Sequence, residues 1–425
     1  MLKEEPRLDN IVSIEGLKVY FAVQKNFLSR LLPGGPKYVR AVDGVSLDIR
    51  RGEIYGLVGE SGSGKTTLGR AILRLVKPSE GKIVFEGSDI SHLKEREVRP
   101  LRRRMQIVFQ DPHAALNPAM TVGAAIAHPL MIHNQATKEQ DAKPNVLRMM
   151  DEVGLNPAED FYHKLPSELS GGQLQRVVIA RAMILNPSFI VADEPVSMLD
   201  MSVRARILEL LLDLKRRHNL TYLFITHDLA TAKFLCNRIG IMYLGKIMEE
   251  GQASEVYAEP KHPYTKALLG AIPIPDPERR TAKSLPRGEI PDAINPPANC
   301  CFHPRCPAAI EGCGWEPRDV LNYLEERRTR LVTGGLDKDV RVLGELKRAR
   351  IDGQTVRFRA SGDGPAELLE YLRGIVAEAH GPLFDAVEGI SLEDDGVSLR
   401  LKPWTDIKEV ISDRRRVLCI LFQST

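Results

Sequence analysis

A glycine-rich segment followed by lysine and threonine carries the clearest chemistry in this sequence. Residues 53–76 read EIYGLVGESGSGKTTLGRAILRLV, with a strand-like apolar stretch before the glycines and a helix-like pattern after them. The spacing fits the template G-x-x-x-x-G-K-[ST], in which backbone N–H groups and a lysine surround phosphate oxygens and a hydroxyl suits Mg²⁺. The residues expected to form this phosphate loop are Gly59, Ser61, Gly62, Gly64, Lys65, Thr66 and Thr67.

Two carboxylates follow another apolar run, FIVADE, at residues 189–194. Buried parallel strands read as continuous apolar runs, and an acid at their C-terminal end faces the ligand crevice of an open α/β sheet. There Asp193 would hold the magnesium shell, and Glu194 would orient or deprotonate an attacking water. The alternative is a surface Asp-Glu pair, but the phosphate loop upstream favours nucleotide hydrolysis.

The whole sequence, which must supply the elements that position these groups, has the composition of an ordinary globular protein. A length of 425 residues predicts two or three domains, and 43% hydrophobic with 27% charged residues predicts sizeable cores. A net charge of +3 gives no reason to expect a nucleic-acid partner. The sequence has no apolar run of membrane-spanning length, and its start, MLKEEPRLDN, lacks the apolar centre of a signal peptide. We therefore expect a cytosolic protein.

The segment LSGGQLQR, residues 169–176, resembles the signature of the ATP-binding-cassette ATPases. Other elements of that family follow in its order. VFQDP resembles the Q-loop, VSMLD the D-loop and LFITHD the switch-histidine segment, while LKVYF matches the position of the adenine-stacking aromatic. The residues that carry this resemblance are Phe21, Gln110, Ser170, Gly171, Gly172, Gln173, Asp200 and His227. Met198 departs from the family pattern, which usually has a smaller residue there.

The resemblance implies a phosphate-loop NTPase cassette, with a RecA-like core, an antiparallel β subdomain and a helical subdomain at about residues 111–165. In that family the signature faces the γ-phosphate on a second cassette, so two cassettes close head-to-tail around two ATP molecules. Lys65 would stabilise phosphate charge, and Thr66 and Gln110 would approach Mg²⁺. Glu194 would be the base, and His227 would position the γ-phosphate.

Three segments specify the subfamily: VFQDPHAALNPAMTVG, HPYTKALL at 262–269 and GEIPDAINPPANCCFHPRCP at 288–307. They resemble ATPase subunits of the oligopeptide/dipeptide permeases, over about residues 10–315, and look more like the second subunit of the usual pair. The resemblance implies a heterodimer, although a homodimer stays open. It also implies two integral membrane permease subunits, an extracytoplasmic solute-binding protein and a peripheral position on the cytoplasmic face of the membrane.

Three alternatives to peptide import remain at this stage. The same machine could import a nickel chelate or an oligosaccharide, although the common sugar-type cassette usually ends in a small β-barrel instead of a cysteine-rich tail. A cassette protein of translation or DNA repair is the third. Such proteins usually carry two cassettes in one chain or a long coiled-coil insertion, and this sequence has neither.

Residues 300–313 contain four of the six cysteines. In a reducing cytosol such clustering indicates a metal site instead of disulfides. The resemblance associates Cys300, Cys306 and Cys313 with a [4Fe–4S] cluster that also needs a fourth, nearby cysteine. Here the next cysteine is Cys419, so the fourth ligand stays open among Cys419, the adjacent Cys301 and a histidine, His303. Reduced structural cysteines without metal are the alternative.

The permease resemblance ends near residue 319, and the remainder predicts a small α+β domain. Residues 364–380 have apolar side chains on one helical face, while 355–360, 396–404 and 415–422 look strand-like. A stabilising or dimerising role is favoured over a ligand sensor, because the segment has no motif that carries chemistry. We predict three parts: the ATPase cassette at 1–255, the cysteine-containing extension at 256–318 and the α+β domain at 319–425.

Overall fold

The computed structural model describes residues 10–23, 37–271, 286, 288–332, 349–359, 364–412 and 415–423. Internal packing divides the chain into two compact units, Met1–Lys261 and His262–Thr425. The three-part division at residues 255 and 318 remains a prediction. The start of the chain, which we used to argue against a signal peptide, lies almost entirely outside the described residues.

Two sheets organise the described part of the first unit. Its strands are β1 (Asn10–Ala22), β2 (Tyr38–Arg50), β3 (Ile54–Val58), β4 (Glu80–Phe85), β5 (Ser88–Asp89), β6 (Met105–Val108), β7 (Phe189–Asp193), β8 (Thr221–Thr226), β9 (Arg238–Tyr243) and β10 (Lys246–Gln252). Strands β9, β3, β8, β7 and β6 lie side by side in that order and run parallel, with β10 antiparallel to β9.

Strands β3, β7 and β8 are buried at every residue, which explains their unbroken apolar sequences. The second sheet has the order β2-β1-β4-β5 and is antiparallel. One apolar core joins the two sheets, with Leu68 and Ile72 of the helix after β3 packed among side chains of both. This packing fixes the C-terminal ends of the parallel strands, where the predicted site residues lie.

Ten helices are described in the first unit: α1 (Lys65–Ile72), α2 (Glu95–Leu101), α3 (Pro112–Ala115), α4 (Val122–Ile132), α5 (Glu139–Glu152), α6 (Ala158–Tyr162), α7 (Gly171–Met183), α8 (Met201–His218), α9 (Leu229–Leu235) and α10 (Ala253–Ala258). Side-chain caps begin several of them. Thr121, for example, accepts a hydrogen bond from the Ala124 amide at the start of α4. Helices α3–α6 lie between β6 and α7, in the region predicted to be helical.

The second unit contains helices α11 (Pro263–Gly270), α12 (Pro317–Val332), α13 (Pro365–Glu378) and α14 (Pro382–Asp385). Its described strands are β11 (Arg350–Asp352), β12 (Thr355–Arg359), β13 (Val387–Glu393), β14 (Gly396–Leu401), β15 (Val410–Ser412) and β16 (Arg415–Val417). Strands β11, β12, β14 and β13 form an antiparallel sheet in that order.

The sheet and α13 share one apolar core, so the predicted α+β character of the tail is confirmed. Leu368, Leu372 and Ile375 of α13 are buried in it, in agreement with the predicted helical face. Trp315 and Leu324 belong to the same core, which therefore begins upstream of residue 319. The strand-like run at 415–422 forms a strand only as far as Val417 and then turns into a short 3-10 helix at Ile420–Phe422.

Within the described part of the chain, no helix combines the length and apolar character needed to cross a membrane.

Candidate nucleotide site and cysteine pocket

The phosphate loop connects β3 to α1 and depends on glycine at two points. A Cβ atom on Gly59 would lie 2.1 Å from the Met242 carbonyl oxygen, and one on Gly64 would lie 2.0 Å from that of Ala41. Gly64 has φ = 103° and caps α1 in the left-handed region, where a side chain is strained. These glycines let the loop pack tightly, while Ser61 and Gly62 stay exposed to a ligand.

The ammonium group of Lys65 lies inside this loop. It donates hydrogen bonds to the carbonyl oxygens of Gly59 at 2.9 Å and Glu60 at 2.8 Å, and to Ser63 Oγ at 3.3 Å. Burial lowers the pKa of Lys65, and the nearby carboxylates Glu194 and Asp193 oppose that shift. The positive charge of Lys65 therefore lies where phosphate oxygens could take the place of the carbonyl oxygens as hydrogen-bond acceptors.

Thr66 and Asp193 meet although 127 positions separate them in the sequence. The Thr66 hydroxyl donates to Asp193 Oδ1 at 2.9 Å, because β3 and β7 end at the same edge of the sheet. Burial raises the pKa of Asp193, and the Thr66 hydrogen bond acts in the opposite direction. Two oxygen ligands of the kind that Mg²⁺ prefers thus lie together beside the phosphate loop.

Two residues that follow other strands contact the side chain of Glu194. Its Oε2 lies 3.1 Å from Gln110 Nε2 and 3.0 Å from His227 Nδ1. Gln110 comes after β6 and His227 after β8, which are the two neighbours of β7. Glu194 itself has φ = 45°, an uncommon conformation for a non-glycine residue that costs roughly 1–3 kcal/mol. This strained backbone conformation directs the Glu194 carboxylate to a position between Gln110 and His227.

The signature residues form the exposed start of α7. Ser170 and Gln173 build a capping box, in which the Ser170 amide donates to Gln173 Oε1 at 2.9 Å and the Gln173 amide to Ser170 Oγ at 3.4 Å. A Cβ on Gly172 would lie 2.6 Å from Val203 of α8, whereas Gly171 is exposed. Among the described residues, no hydrogen bond or ion pair connects Ser170 or Gln173 with the phosphate loop of the same chain.

Two other predicted residues lie apart from this centre. Asp200 caps α8 by accepting from the Val203 amide at 3.0 Å and from Ser202 Oγ at 2.8 Å, and these hydrogen bonds lower its pKa. It is flanked by the exposed side chains of Met198 and Met201. Phe21 lies on β1 with 43% of its surface exposed, so its ring is free to stack on a planar group.

An ion pair that the sequence did not predict connects α8, which follows the D-loop, to the residue after His227. Arg204 on α8 lies 3.9 Å from Asp228, the residue after His227. Asp228 also caps α9 by accepting from the Ala230 amide at 2.9 Å. The only sequence signal was the position of Asp228 directly after His227, since nothing in α8 identified Arg204 as its partner.

Three cysteines of one loop and a fourth from near the end of the chain line one narrow pocket of the second unit. They are Cys300, Cys306, Cys313 and Cys419. None of them forms a disulfide. Burial raises the pKa of Cys306 to about 11 and also raises the pKa of Cys313.

The other two candidate ligands named from the sequence, His303 and Cys301, have different surroundings. Both ring nitrogens of His303 face protein oxygens: Nδ1 lies 2.7 Å from the Cys300 carbonyl oxygen and Nε2 3.4 Å from Asp319 Oδ2. Cys301 is buried but is absent from the pocket lining. His262 does line the pocket, and its Nδ1 accepts from the Tyr264 amide at 3.0 Å.

The donors that line this pocket include four thiols, which suit soft metals. A zinc ion would need its sulfur ligands within about 2.3 Å. Among the described residues, no group of three His, Cys, Asp or Glu side chains is arranged to hold a metal ion.

Comparison with protein families gives two matches in different parts of the chain. The model described as "ABC transporter" matches residues 42–197. The model described as "Oligopeptide/dipeptide transporter, C-terminal region" matches residues 248–313. The first range contains the phosphate loop, the signature and Glu194, and the second contains three of the four pocket cysteines. The predicted cassette fold is thereby confirmed.

Curated relatives match most of their own length. The "Putative oligopeptide transport ATP-binding protein YkfD" of Bacillus subtilis is 49% identical over 297 residues, covering 69% of this chain and 89% of the relative. The "Oligopeptide transport ATP-binding protein OppF" of Salmonella typhimurium is 46% identical over 313 residues, covering 73% and 92%. More than a quarter of this chain therefore lies outside the match to either relative.

A solved structure resembles the cassette part. It is described as the "Dimeric structure of a post-hydrolysis state of the ATP-binding cassette MJ0796 bound to ADP and Pi". The similarity has a TM-score of 0.50 at 30% identity and covers 57% of this chain and 98% of that one.

Proposed function

Because this chain belongs to the ATP-binding-cassette ATPases, as an ATP-binding subunit of oligopeptide and dipeptide importers, we propose that the site around Glu194 hydrolyses the ATP that powers import. One observation carries the proposal. Glu194 is held between Gln110 and His227 at the edge of the sheet where Lys65 and Thr66 also lie. A carboxylate so placed accepts a proton from water next to a phosphate site.

The metal proposed for this site is Mg²⁺, and the residues present fit it. Mg²⁺ keeps several waters and takes only one or two protein ligands beside phosphate oxygens, so a three-residue cage is not needed. Thr66 Oγ1 and Asp193 would hold the ion and its water shell, with Gln110 close by. When bound, Mg²⁺ neutralises charge on the β- and γ-phosphates.

Each side chain then has a separable role. Lys65 and the loop amides bind phosphate charge. The present hydrogen bonds of Lys65 to the loop carbonyls pre-orient its ammonium group. Glu194 orients the attacking water and takes its proton, and Gln110 fixes the direction of that carboxylate. His227 Nδ1 lies against Glu194, so Nε2 is the nitrogen available to the γ-phosphate. Phe21 stacks on the adenine.

The signature requires a second cassette. Ser170, Gly171 and the α7 amides form an exposed helix N-terminus, and no hydrogen bond from Ser170 or Gln173 reaches the phosphate loop among the described residues. A helix N-terminus binds anions, so we propose that this one completes the nucleotide site of a partner cassette. Asp200, with its exposed neighbours Met198 and Met201, would lie in the same interface.

We propose that the partner is a different ATPase subunit, because the sequence resembles the second member of a pair. The complete importer would add two membrane permease subunits and an extracytoplasmic solute-binding protein, with this chain peripheral on the cytoplasmic face. The naming of the relatives as oligopeptide transport proteins supports peptides over nickel chelates or sugars. Cys300, Cys306 and Cys313 are proposed to bind a [4Fe–4S] cluster, for which thiol donors are suited.

The composite site is tested with Ser170→Arg in a pair whose second cassette is of known identity. The arginine should block the nucleotide site of the partner and leave the site that contains this chain's Lys65 active. Ser167→Arg, at an exposed position of the preceding turn, is the matched control and should leave both sites active. Photolabelling with an ATP analogue under turnover conditions distinguishes the two subunits.

Loss of hydrolysis at the site of this chain, with the site of the partner intact, would overturn the head-to-tail arrangement. Equal loss in both sites from Ser167→Arg would show that the assay reports general damage to the interface.

A further inference from the structure

We propose that Arg204 is a positioning residue for ATP hydrolysis, which joins the D-loop to the segment of His227 and thereby fixes His227 against Glu194. The inference rests on the hydrolytic roles proposed above for Glu194 and His227. Arg204 lies on α8, outside the residues that either family model matches, which are 42–197 and 248–313.

One guanidinium group contacts both the D-loop and the histidine segment. Arg204 Nη2 donates a hydrogen bond to the Leu199 carbonyl oxygen at 3.4 Å, and Nη1 lies 3.9 Å from Asp228 Oδ2. Leu199 belongs to the D-loop, and Asp228 directly follows His227 in the chain. Because a guanidinium is planar and its donors have a fixed geometry, a displacement of Leu199 is passed on to Asp228.

Both of these contacts lead back to Glu194. The amide and the hydroxyl of Ser197 donate to the Glu194 carbonyl oxygen at 3.2 and 3.1 Å, so the start of the D-loop folds onto Glu194. From the other direction, His227 Nδ1 lies 3.0 Å from Glu194 Oε2. Arg204 therefore closes a ring of contacts that runs from Glu194 through the D-loop to Asp228 and returns through His227.

Asp228 is the fixed end of its contact with Arg204. Its Oδ1 accepts from the Ala230 amide at 2.9 Å, its Oδ2 accepts from the Thr231 hydroxyl at 2.6 Å, and its own amide donates to Thr226 Oγ1 at 3.0 Å. Arg204 Nε, by contrast, is buried and makes no hydrogen bond with any residue that the structure describes. Buried donors are normally paired, so the guanidinium has the capacity to exchange acceptors when the D-loop moves.

The neighbours of Arg204 also pack on the signature glycines of the same chain. A Cβ atom on Gly171 would lie 3.6 Å from Leu199 Cδ2, and one on Gly172 would lie 2.6 Å from Val203 Cγ1. A partner nucleotide bound at the signature thus lies one layer of side chains away from the residues beside Arg204. Closure of the two cassettes therefore reaches the ring of contacts through the D-loop and the start of α8.

The competing interpretation is an ordinary surface ion pair that stabilises α8. The side chains of Arg204 and Asp228 are 34% and 35% exposed, and ion pairs at such positions contribute little to stability. A structural role predicts a small change in unfolding and an unchanged turnover number. A positioning role predicts a lower turnover number with ATP affinity retained, so the two interpretations differ in what they measure.

The test compares Arg204→Ala with the unmodified full-length chain, each with the second cassette subunit present. We expect kcat to fall by roughly 3- to 30-fold, the range in which residues of such networks act. Affinity for a fluorescent ATP analogue should not change, because Lys65 and the phosphate loop are intact. The thermal midpoint should move by no more than about 4 °C.

The matched control is Arg216→Ala. Arg216 is an arginine of the same helix, its side chain is 76% exposed, and it lies 3.7 Å from a carboxylate, that of Asp213. This variant should hydrolyse ATP like the unmodified chain. Arg204→Gln is a second, milder variant: it keeps a donor for the Leu199 carbonyl but removes the charge next to Asp228, and kcat should fall here too.

A double substitution shows whether Arg204 acts through His227. If it does, adding Arg204→Ala to His227→Ala should lower kcat no further, because the contact that Arg204 positions is already lost. Additive losses would overturn the proposal, and so would an unchanged kcat in both Arg204 variants or a loss of ATP affinity without a loss of kcat. Hydrolysis at the unmodified rate in His227→Ala alone would instead overturn the role proposed for His227, so the two failures are distinguishable.

Discussion

The carboxylate of Glu194 lies 3.0 Å from Nδ1 of His227, although the two residues are 33 positions apart and follow different strands. The neighbouring order of β7 and β8 produces this contact, and the left-handed backbone of Glu194 directs it. Gln110 reaches the same oxygen from β6. Three strand ends thus converge on one carboxylate beside the phosphate loop.

Lys65→Ala should weaken ATP binding itself. The substitution removes a buried charge whose present partners are two loop carbonyls and the Ser63 hydroxyl. Charged hydrogen bonds contribute about 1.5–3 kcal/mol, or roughly tenfold or more in affinity. Lys82→Ala, at an exposed position of β4, is the control and should bind normally. Titration with a fluorescent ATP analogue measures both, and unchanged affinity in Lys65→Ala would mean that phosphates bind elsewhere.

Gly64→Ala should destabilise the cassette more than Gly62→Ala. Both positions have positive φ, so both variants carry backbone strain. Only at Gly64 would the new Cβ also meet a backbone atom, 2.0 Å from the Ala41 oxygen, whereas nothing lies within 4 Å at Gly62. Thermal unfolding followed by circular dichroism should give a lower midpoint for Gly64→Ala. Equal midpoints would show that strain alone decides the cost.

Leu372→Ala should destabilise the second unit by about 2–5 kcal/mol, the usual cost of truncating a buried leucine. Leu392→Ala, at a position that is 55% exposed, should change stability by less than about 0.5 kcal/mol. Denaturant unfolding followed by tryptophan fluorescence reports on this unit alone, since it contains both tryptophans. ATP affinity should be the same in both variants; a loss in Leu372→Ala only would show that the cassette depends on the tail.

The local motifs were predictable from the sequence because their chemistry depends on short spacing. The glycines, Lys65 and Thr66 form one loop, and Asp193 and Glu194 end one apolar strand, so each could be assigned without knowing the rest of the fold. The capping box of Ser170 and Gln173 is equally local.

Contacts that depend on the order of strands in a sheet, or on which distant segments pack together, could not be predicted from spacing. The Arg204–Asp228 ion pair joins two helices that follow different strands. Spacing likewise did not reveal that Cys419 would line one pocket with Cys300, Cys306 and Cys313. Trp315 was placed in the cysteine-containing extension, because sequence spacing does not reveal which core a side chain will join.

The most direct test of the hydrolytic site is Glu194→Gln, measured with both cassette subunits present. The amide keeps the size and the hydrogen-bonding reach of the side chain but cannot accept the proton of water, so ATP should still bind while turnover falls by roughly 100-fold or more. Glu209→Gln, an exposed carboxylate on α8, should hydrolyse ATP normally. A closed ATP-bound pair that accumulates with Glu194→Gln would support the assignment; hydrolysis at the unmodified rate would contradict it.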